Sequence, residues 1–266
     1  MKKQTLHSIQ NLKNIGEPIV VLTAYDSSFA KLVSDQGVEI ILIGDSLGMV
    51  IQGYDSTVPV TMKNMVYHTQ CVSIANRGAW LITDMPYMSY STEDELLKNA
   101  AKLMQAGANM VKVEGGEWLC SGIEKLSQRG VPVCAHLGLT PQSVDALGGF
   151  KVQGREEESA HRMIQDALAI EKAGACLLVL ECVPSTLANT ITQQLKIPTI
   201  GIGAGNQTDG QVLVLQDMLG LNPDFRPKFV KNFFDNENVK SVSDAISTYI
   251  SEVKDRSFPG DEHSFK

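Results

Sequence analysis

Acids follow apolar runs throughout this chain. The stretch VEIILIGDSLGM (38–49) is apolar up to Gly44 except for Glu39, then presents Asp45 and Ser46. PIVVLTAYD (18–26) ends on Asp26, WLITDMP (80–86) contains Asp84, and CLLVLECV (176–183) contains Glu181. MVKVEG (110–115) carries Lys112 and Glu114, and VPVCAHLGL (131–139) carries His136. An ionised carboxylate is costly to bury unless it is paired, hydrogen-bonded or bound to metal. Asp45 must therefore reach water at a loop or meet something positive.

The residue types narrow the chemistry. Asp45, Asp84 and Glu114 offer oxygen donors without accompanying histidine or cysteine pairs, the donor set that suits Mg²⁺. Each acid alone could instead cap a following helix, a common role at strand–helix junctions. Three at one rim favour the metal. Lys112 and Glu114 stand two apart, so strand alternation turns both to one face, with Val111 and Val113 towards the helices. They form either a structural ion pair or a ligand site, with Lys112 as a point charge for an anionic substrate. Glu181 follows an unbroken apolar run, and burial raises a carboxyl pKa, as a general base near neutral pH requires. His136 is open between partner of Glu181, support for other site residues, and satisfied core histidine.

These residues need elements to position them. The runs above, with IPTIGIGAG (197–205) and QVLVLQDML (211–219), read as eight strands bounded by Gly, Pro and Asp and buried on both faces. Amphipathic patterns lie between most of them: FAKLVSDQG, STEDELLKNAAKLMQAG, WLCSGIEKLSQRG, EEESAHRMIQDALAIEKAG and STLANTITQQLK. In the second, Thr92 and Glu95 have capping-box spacing and Gly107 stands at the C-terminal stop. Strands alternating with helices, without a linker, predict a single (β/α)8 barrel over residues 1–266, with a doubly wound sheet as the alternative. Residues 1–17 form an extension without a usable motif, and residues 206–210 are too few for a helix. VSDAISTYISEVKDR, within 241–256, reads as a last helix, packed on its own barrel or exchanged with a neighbour. In a barrel the strand ends converge on one mouth, where such enzymes place their active sites.

The glycine-rich stretches say less. GIGAG (201–205) lacks dinucleotide-loop spacing and suits close packing or tight turns. GGFKVQGR (148–155) is a lid, an anion-binding edge or an ordinary solvated loop.

Composition bounds the partners. A net charge of −7 argues against nucleic acid, whose phosphates call for clustered Lys and Arg. No apolar run reaches the ~20 residues of a membrane span and no signal-peptide pattern opens the chain, so a cytoplasmic location is expected. The five cysteines lack metal-type spacing; Cys134 and Cys176, inside apolar runs, read as small buried hydrophobes.

The segments LTAYDSSFAKL, IGDSLGMVIQGYDSTVPVTM, NMVKVEGGEW, HLGLTPQSV, LECVP, GIGAGNQTDGQ and FPGDEHSF resemble those of the ketopantoate hydroxymethyltransferase family, from about residue 18 to 265. The resemblance implies a TIM barrel of the phosphoenolpyruvate/pyruvate-binding type and a homo-oligomer, commonly a decamer. It implies hydroxymethyl transfer from 5,10-methylenetetrahydrofolate to 3-methyl-2-oxobutanoate (α-ketoisovalerate), giving ketopantoate for pantothenate biosynthesis. By the same resemblance Asp45, Asp84 and Glu114 match the magnesium site, Glu114 directly or through water. Ser46, Asp84 and Lys112, with Asp45, match substrate contacts, and Glu181 matches the proton acceptor. Two other readings stay open: a metal-dependent carbon–carbon lyase or aldolase acting on a 2-oxo acid without folate, and a non-catalytic metabolite-binding protein.

Overall fold

A computed structural model of the chain describes residues 3–222 and 226–266. Eight parallel strands close into a barrel in chain order: β1 (Ile19–Thr23), β2 (Ile40–Ile43), β3 (Trp80–Asp84), β4 (Met110–Glu114), β5 (Val133–Gly138), β6 (Leu177–Glu181), β7 (Thr199–Ile202) and β8 (Gly210–Leu213). Pairing of β1 with β8 closes the sheet, which rules out the doubly wound alternative. The outer layer comprises α2 (Ser27–Asp35), α4 (Met62–Ala75), α5 (Glu93–Gln105), α6 (Cys120–Ser127), α8 (Glu157–Ala173), α9 (Ser185–Gln194) and α11 (Val242–Lys254). α1 (Leu6–Asn14) precedes β1, and the short helices α3 (Leu47–Val50), α7 (Val144–Leu147) and α10 (Leu215–Met218) follow β2, β5 and β8.

Strand alternation splits the core in two. Ile40, Leu42, Ile82, Met110, Cys134, Val179 and Val212 fill the barrel interior, joined from α1 by Ile9. Ile41, Ile43, Val111 and Val113 pack outward against the helices. Lys112 and Glu114 therefore enter the barrel, as their spacing predicts. The loop 206–210 carries no helix, as its length predicts, so β7 runs directly into β8.

Three expectations change. The strand predicted over 211–219 stops at Leu213, and α10 begins at Leu215, whose N–H donates to Thr23 Oγ1 at 2.9 Å. Its apolar run continues because α10 is buried, and run length alone does not separate strand from buried helix. At α5 the Thr92 hydroxyl accepts from Glu95 N–H at 3.3 Å, but the Glu95 carboxylate takes hydrogen bonds from the Ser91 and Thr92 hydroxyls instead of closing the box. The motif-free extension forms α1, capped by Thr5 and Ser8.

α11 seats on its own barrel. Its Tyr249 is buried, with the hydroxyl 3.0 Å from the carbonyl oxygens of both Val21 and Gln211.

Candidate active site

Strand register brings the predicted residues together. Asp84 on β3 is level with Lys112 on β4, and Glu114 on β4 is level with His136 on β5. Gly138 on β5 is level with Glu181 on β6. Asp45 and Ser46 lie just beyond β2, after Gly44, where a Cβ would stand 2.8 Å from Ser46 Oγ and push it aside. All these polar side chains line one cavity of about 410 Å³ at the C-terminal mouth of the barrel. Its other walls include Leu42, Val179, Ile202 and Val212.

Asp26 does not join them. Its carboxylate caps α2, accepting from Phe29 N–H at 2.9 Å. Asp45 and Asp84 do not serve as caps. Asp84 Oδ2 accepts from the Asp45 N–H at 3.1 Å, and Gln142 Nε2 donates to Asp45 Oδ2 at 2.8 Å. Lys112 Nζ stands 2.9 Å from Asp84 Oδ1 and 3.6 Å from Glu114 Oε1. No hydrogen bond is aligned on Asp84 Oδ1, although that oxygen is buried.

Glu114 has both oxygens engaged. Oε1 meets His136 Nδ1 at 3.3 Å, and Oε2 accepts from the Gln142 N–H at 3.1 Å. His136 Nε2 faces Glu181 Oε2 at 3.4 Å, an ionic contact without hydrogen-bond alignment. Glu181, predicted as buried, keeps 14% of its side chain exposed and reaches the cavity. The chain leaves β6 through Cys182 in the left-handed region, φ +49°, a conformation costly for a residue with a Cβ.

Charge and burial oppose each other here. Burial pushes the Asp45 carboxyl well above its ordinary range, and the neighbouring Asp84 and Glu114 push it further; Lys112 and Gln142 only partly offset them. For Glu114 burial acts in the same direction, but the His136 contact, the Lys112 charge and the Gln142 N–H outweigh it and lower the pKa. Burial and Lys112 depress His136, yet Glu114 and Glu181 overcome both and raise it to about 9. The two carboxylates on either side of the ring thus favour its imidazolium form.

Four carboxylates (Asp45, Asp84, Glu114 and Glu181) face two cationic groups, an imbalance that a divalent cation would relieve. No set of three or more His, Cys, Asp or Glu is arranged to hold a metal among the described residues. The donor set nevertheless fits Mg²⁺, which takes one or two carboxylates and completes its shell with water and substrate oxygens. Asp84 Oδ1, which meets only the Lys112 ammonium, and the Asp45 carboxylate would supply those two.

Other residues around these acids carry no strand-end signal in the sequence. Gln142 and Tyr90 come from connecting segments, and Tyr25 binds Ser46 Oγ through its hydroxyl at 2.8 Å. Asp217 reaches the cavity from α10, hidden from sequence reasoning by the predicted strand. Among the cysteines, Cys134 is fully buried inside the barrel, whereas Cys176 is only partly buried; all five are free thiols.

The closed parallel barrel places the chain beside 2,3-dimethylmalate lyase, described as a member of the PEP mutase/isocitrate lyase superfamily. The two structures have a TM-score of 0.57 and 15% identity, covering 81% of this chain and 82% of that one. Phosphonopyruvate hydrolase in complex with oxalate and Mg²⁺ shares the fold with a TM-score of 0.63 at 13% identity, covering 97% of this chain and 98% of that one. Sequence then gives the family. Residues 3–261 match the model of ketopantoate hydroxymethyltransferase. The 3-methyl-2-oxobutanoate hydroxymethyltransferase of Colwellia psychrerythraea is 58% identical over 266 residues, covering 100% of both chains. The chain belongs to the ketopantoate hydroxymethyltransferase family.

Proposed function

We propose that this chain transfers a hydroxymethyl group from 5,10-methylenetetrahydrofolate to 3-methyl-2-oxobutanoate, forming ketopantoate for pantothenate biosynthesis. The observation that carries the proposal is the convergence of Asp45, Ser46, Asp84, Lys112, Glu114, His136 and Glu181 on one cavity. The names of relatives such as the Colwellia protein supply the substrate.

Asp45 and Asp84 would hold the divalent cation, with Glu114, whose oxygens meet His136 and the Gln142 N–H, acting directly or through water. When bound, the ion supplies positive charge where the 2-oxo acid becomes an enolate. Ser46 and Lys112 contact the substrate, with Lys112 opposing its negative charge. Glu181 takes the proton from C3, and the C–H electron pair becomes the enolate double bond. The enolate carbon then bonds to the folate methylene as its bond to N10 breaks, water displaces N5 and becomes the hydroxyl, and tetrahydrofolate leaves with its two nitrogens protonated, one proton coming from C3 and one from that water. His136 contacts Glu181 and Glu114 together and so holds the base against the acid cluster. Family resemblance extends the proposal to a cytoplasmic homo-oligomer, a decamer, which light scattering would measure. Among the described residues no helix is long and apolar enough to cross a membrane.

The test is NMR of C3 proton–deuterium exchange in 3-methyl-2-oxobutanoate, with Mg²⁺ and with chelator, followed by methylenetetrahydrofolate and a search for ketopantoate. Metal-dependent exchange and folate-dependent product are expected. Exchange that survives complete chelation would remove the metal from the proposal. Cleavage of a 2-oxo acid without folate would favour a lyase, and binding without exchange or product a non-catalytic protein.

A further inference from the structure

Gln142 is 6% exposed and sits in the one-turn helix Pro141–Ser143 after β5, yet it touches acids from two other strand ends. Its side-chain amide donates to Asp45 Oδ2 at 2.8 Å and to the Met85 carbonyl at 2.9 Å. Its main-chain N–H donates to Glu114 Oε2 at 3.1 Å. Its carbonyl oxygen accepts from the Tyr90 hydroxyl at 2.6 Å. Every polar atom of the amide has a partner, and the partners fix its orientation. Flipping the group would set its oxygen against the Met85 carbonyl, a pure acceptor. Tyr90 is held in turn by the Glu114 N–H, which donates to its hydroxyl at 3.3 Å.

We infer that Gln142 is a positioning residue: its amide, oriented by Tyr90, aims the Asp45 carboxylate, while its N–H fixes one oxygen of Glu114. The inference rests on the reading of Asp45 and Asp84 as the divalent-cation site and deepens it. A surrounding hydrophobe could fill the same space, but none would tie Asp45 and Glu114 to one point. The loop after β5 thus decides how acids from β2 and β4 share the mouth. Glutamate at this position would keep the shape and lose both donors. Methionine would keep the volume without the polarity.

The experiment uses the full chain with Gln142→Met and, as a gentler variant, Tyr90→Phe. Mn²⁺ affinity is measured by electron paramagnetic resonance without substrate, beside thermal melting and a crystal structure of each variant. Groups that orient metal ligands typically contribute 10–100-fold to affinity. Mn²⁺ dissociation constants are expected to rise at least 10-fold in Gln142→Met and by less in Tyr90→Phe, with Asp45 rotated from its parental position. A purely structural role would lower the melting temperature without moving Mn²⁺ affinity, and that result would overturn the inference. If the parent itself binds no Mn²⁺, the metal reading fails, and the crystal structures alone decide the positioning. An unmoved Asp45 in Gln142→Met then overturns it, and a rotated one upholds it. Should Gln142→Met not fold, Tyr90→Phe is judged by the same two readouts.

Discussion

Among the site residues, Glu181 has one face towards the cavity and one towards His136, and its proposed role is the narrowest to test. Glu181→Gln keeps shape and removes the proton acceptor. C3 exchange is expected to fall by roughly 10²–10⁴-fold, the usual contribution of a positioned base, with 2-oxo acid binding by calorimetry retained. An unchanged exchange rate would exclude Glu181 as the base. Asp217 gives the pH prediction. Burial raises its carboxyl from 3.8 to about 6, so the folded chain holds this proton more tightly than the unfolded one. The resulting stabilisation is present below the unfolded value and is lost as pH rises through about 6. Asp217→Asn should therefore stabilise the chain at pH ~8 by roughly 1–3 kcal/mol and have little effect near pH ~4. Melting curves at both pH values check this; a larger gain at the lower pH would contradict it.

Element ends, not element interiors, set the geometry of the mouth. Gly138 closes β5 with φ +95°, and a Cβ there would meet the Glu181 carbonyl oxygen at 2.2 Å. Side chains rarely adopt that conformation, so Gly138→Ala combines strain with a backbone clash. A loss of about 2–4 kcal/mol is expected, or roughly 4–16 °C in melting temperature, with slower C3 exchange because β6 shifts with Glu181. Full stability and full exchange in Gly138→Ala would show that the β5–β6 junction tolerates displacement. The capping of α5 was legible from Thr92, because a cap acts within one turn of chain. The end of β8 was not, because both β8 and α10 are buried and their apolar residues run on without a break.

On the scale of the whole molecule, α1 and the end of α11 meet at the barrel floor. α1 brings Ile9 into the barrel interior, and Lys13 pairs with Asp209 at 2.8 Å near the start of β8. From the other terminus, Lys254 of α11 joins Glu39 at 2.6 Å and Glu17 at 2.9 Å. Glu39, the charge inside an apolar run, is thus paired at the floor, opposite the mouth. Ile9→Ala should cost about 2–4 kcal/mol, as for a buried aliphatic residue, despite lying in a segment without motif. Urea unfolding measures this cost; a change under about 0.5 kcal/mol, the range of ordinary surface substitutions, would mean that α1 adds little to the core.

The amino-acid sequence by itself determined the alternation of elements, the barrel, the inward turn of Lys112 and Glu114, and the acids at the strand ends. These are local properties, carried by periodicity and by polar residues that interrupt apolar runs. Tertiary structure alone decided which acids meet. Register set Asp84 level with Lys112 and Glu114 level with His136, while Asp26 turned away to cap α2. It also drew in Gln142, Tyr90 and Asp217, whose places depend on how loops fold across the mouth. Pairings between residues distant in the chain are created only when the barrel closes, and no spacing in a single sequence encodes that closure distance by distance.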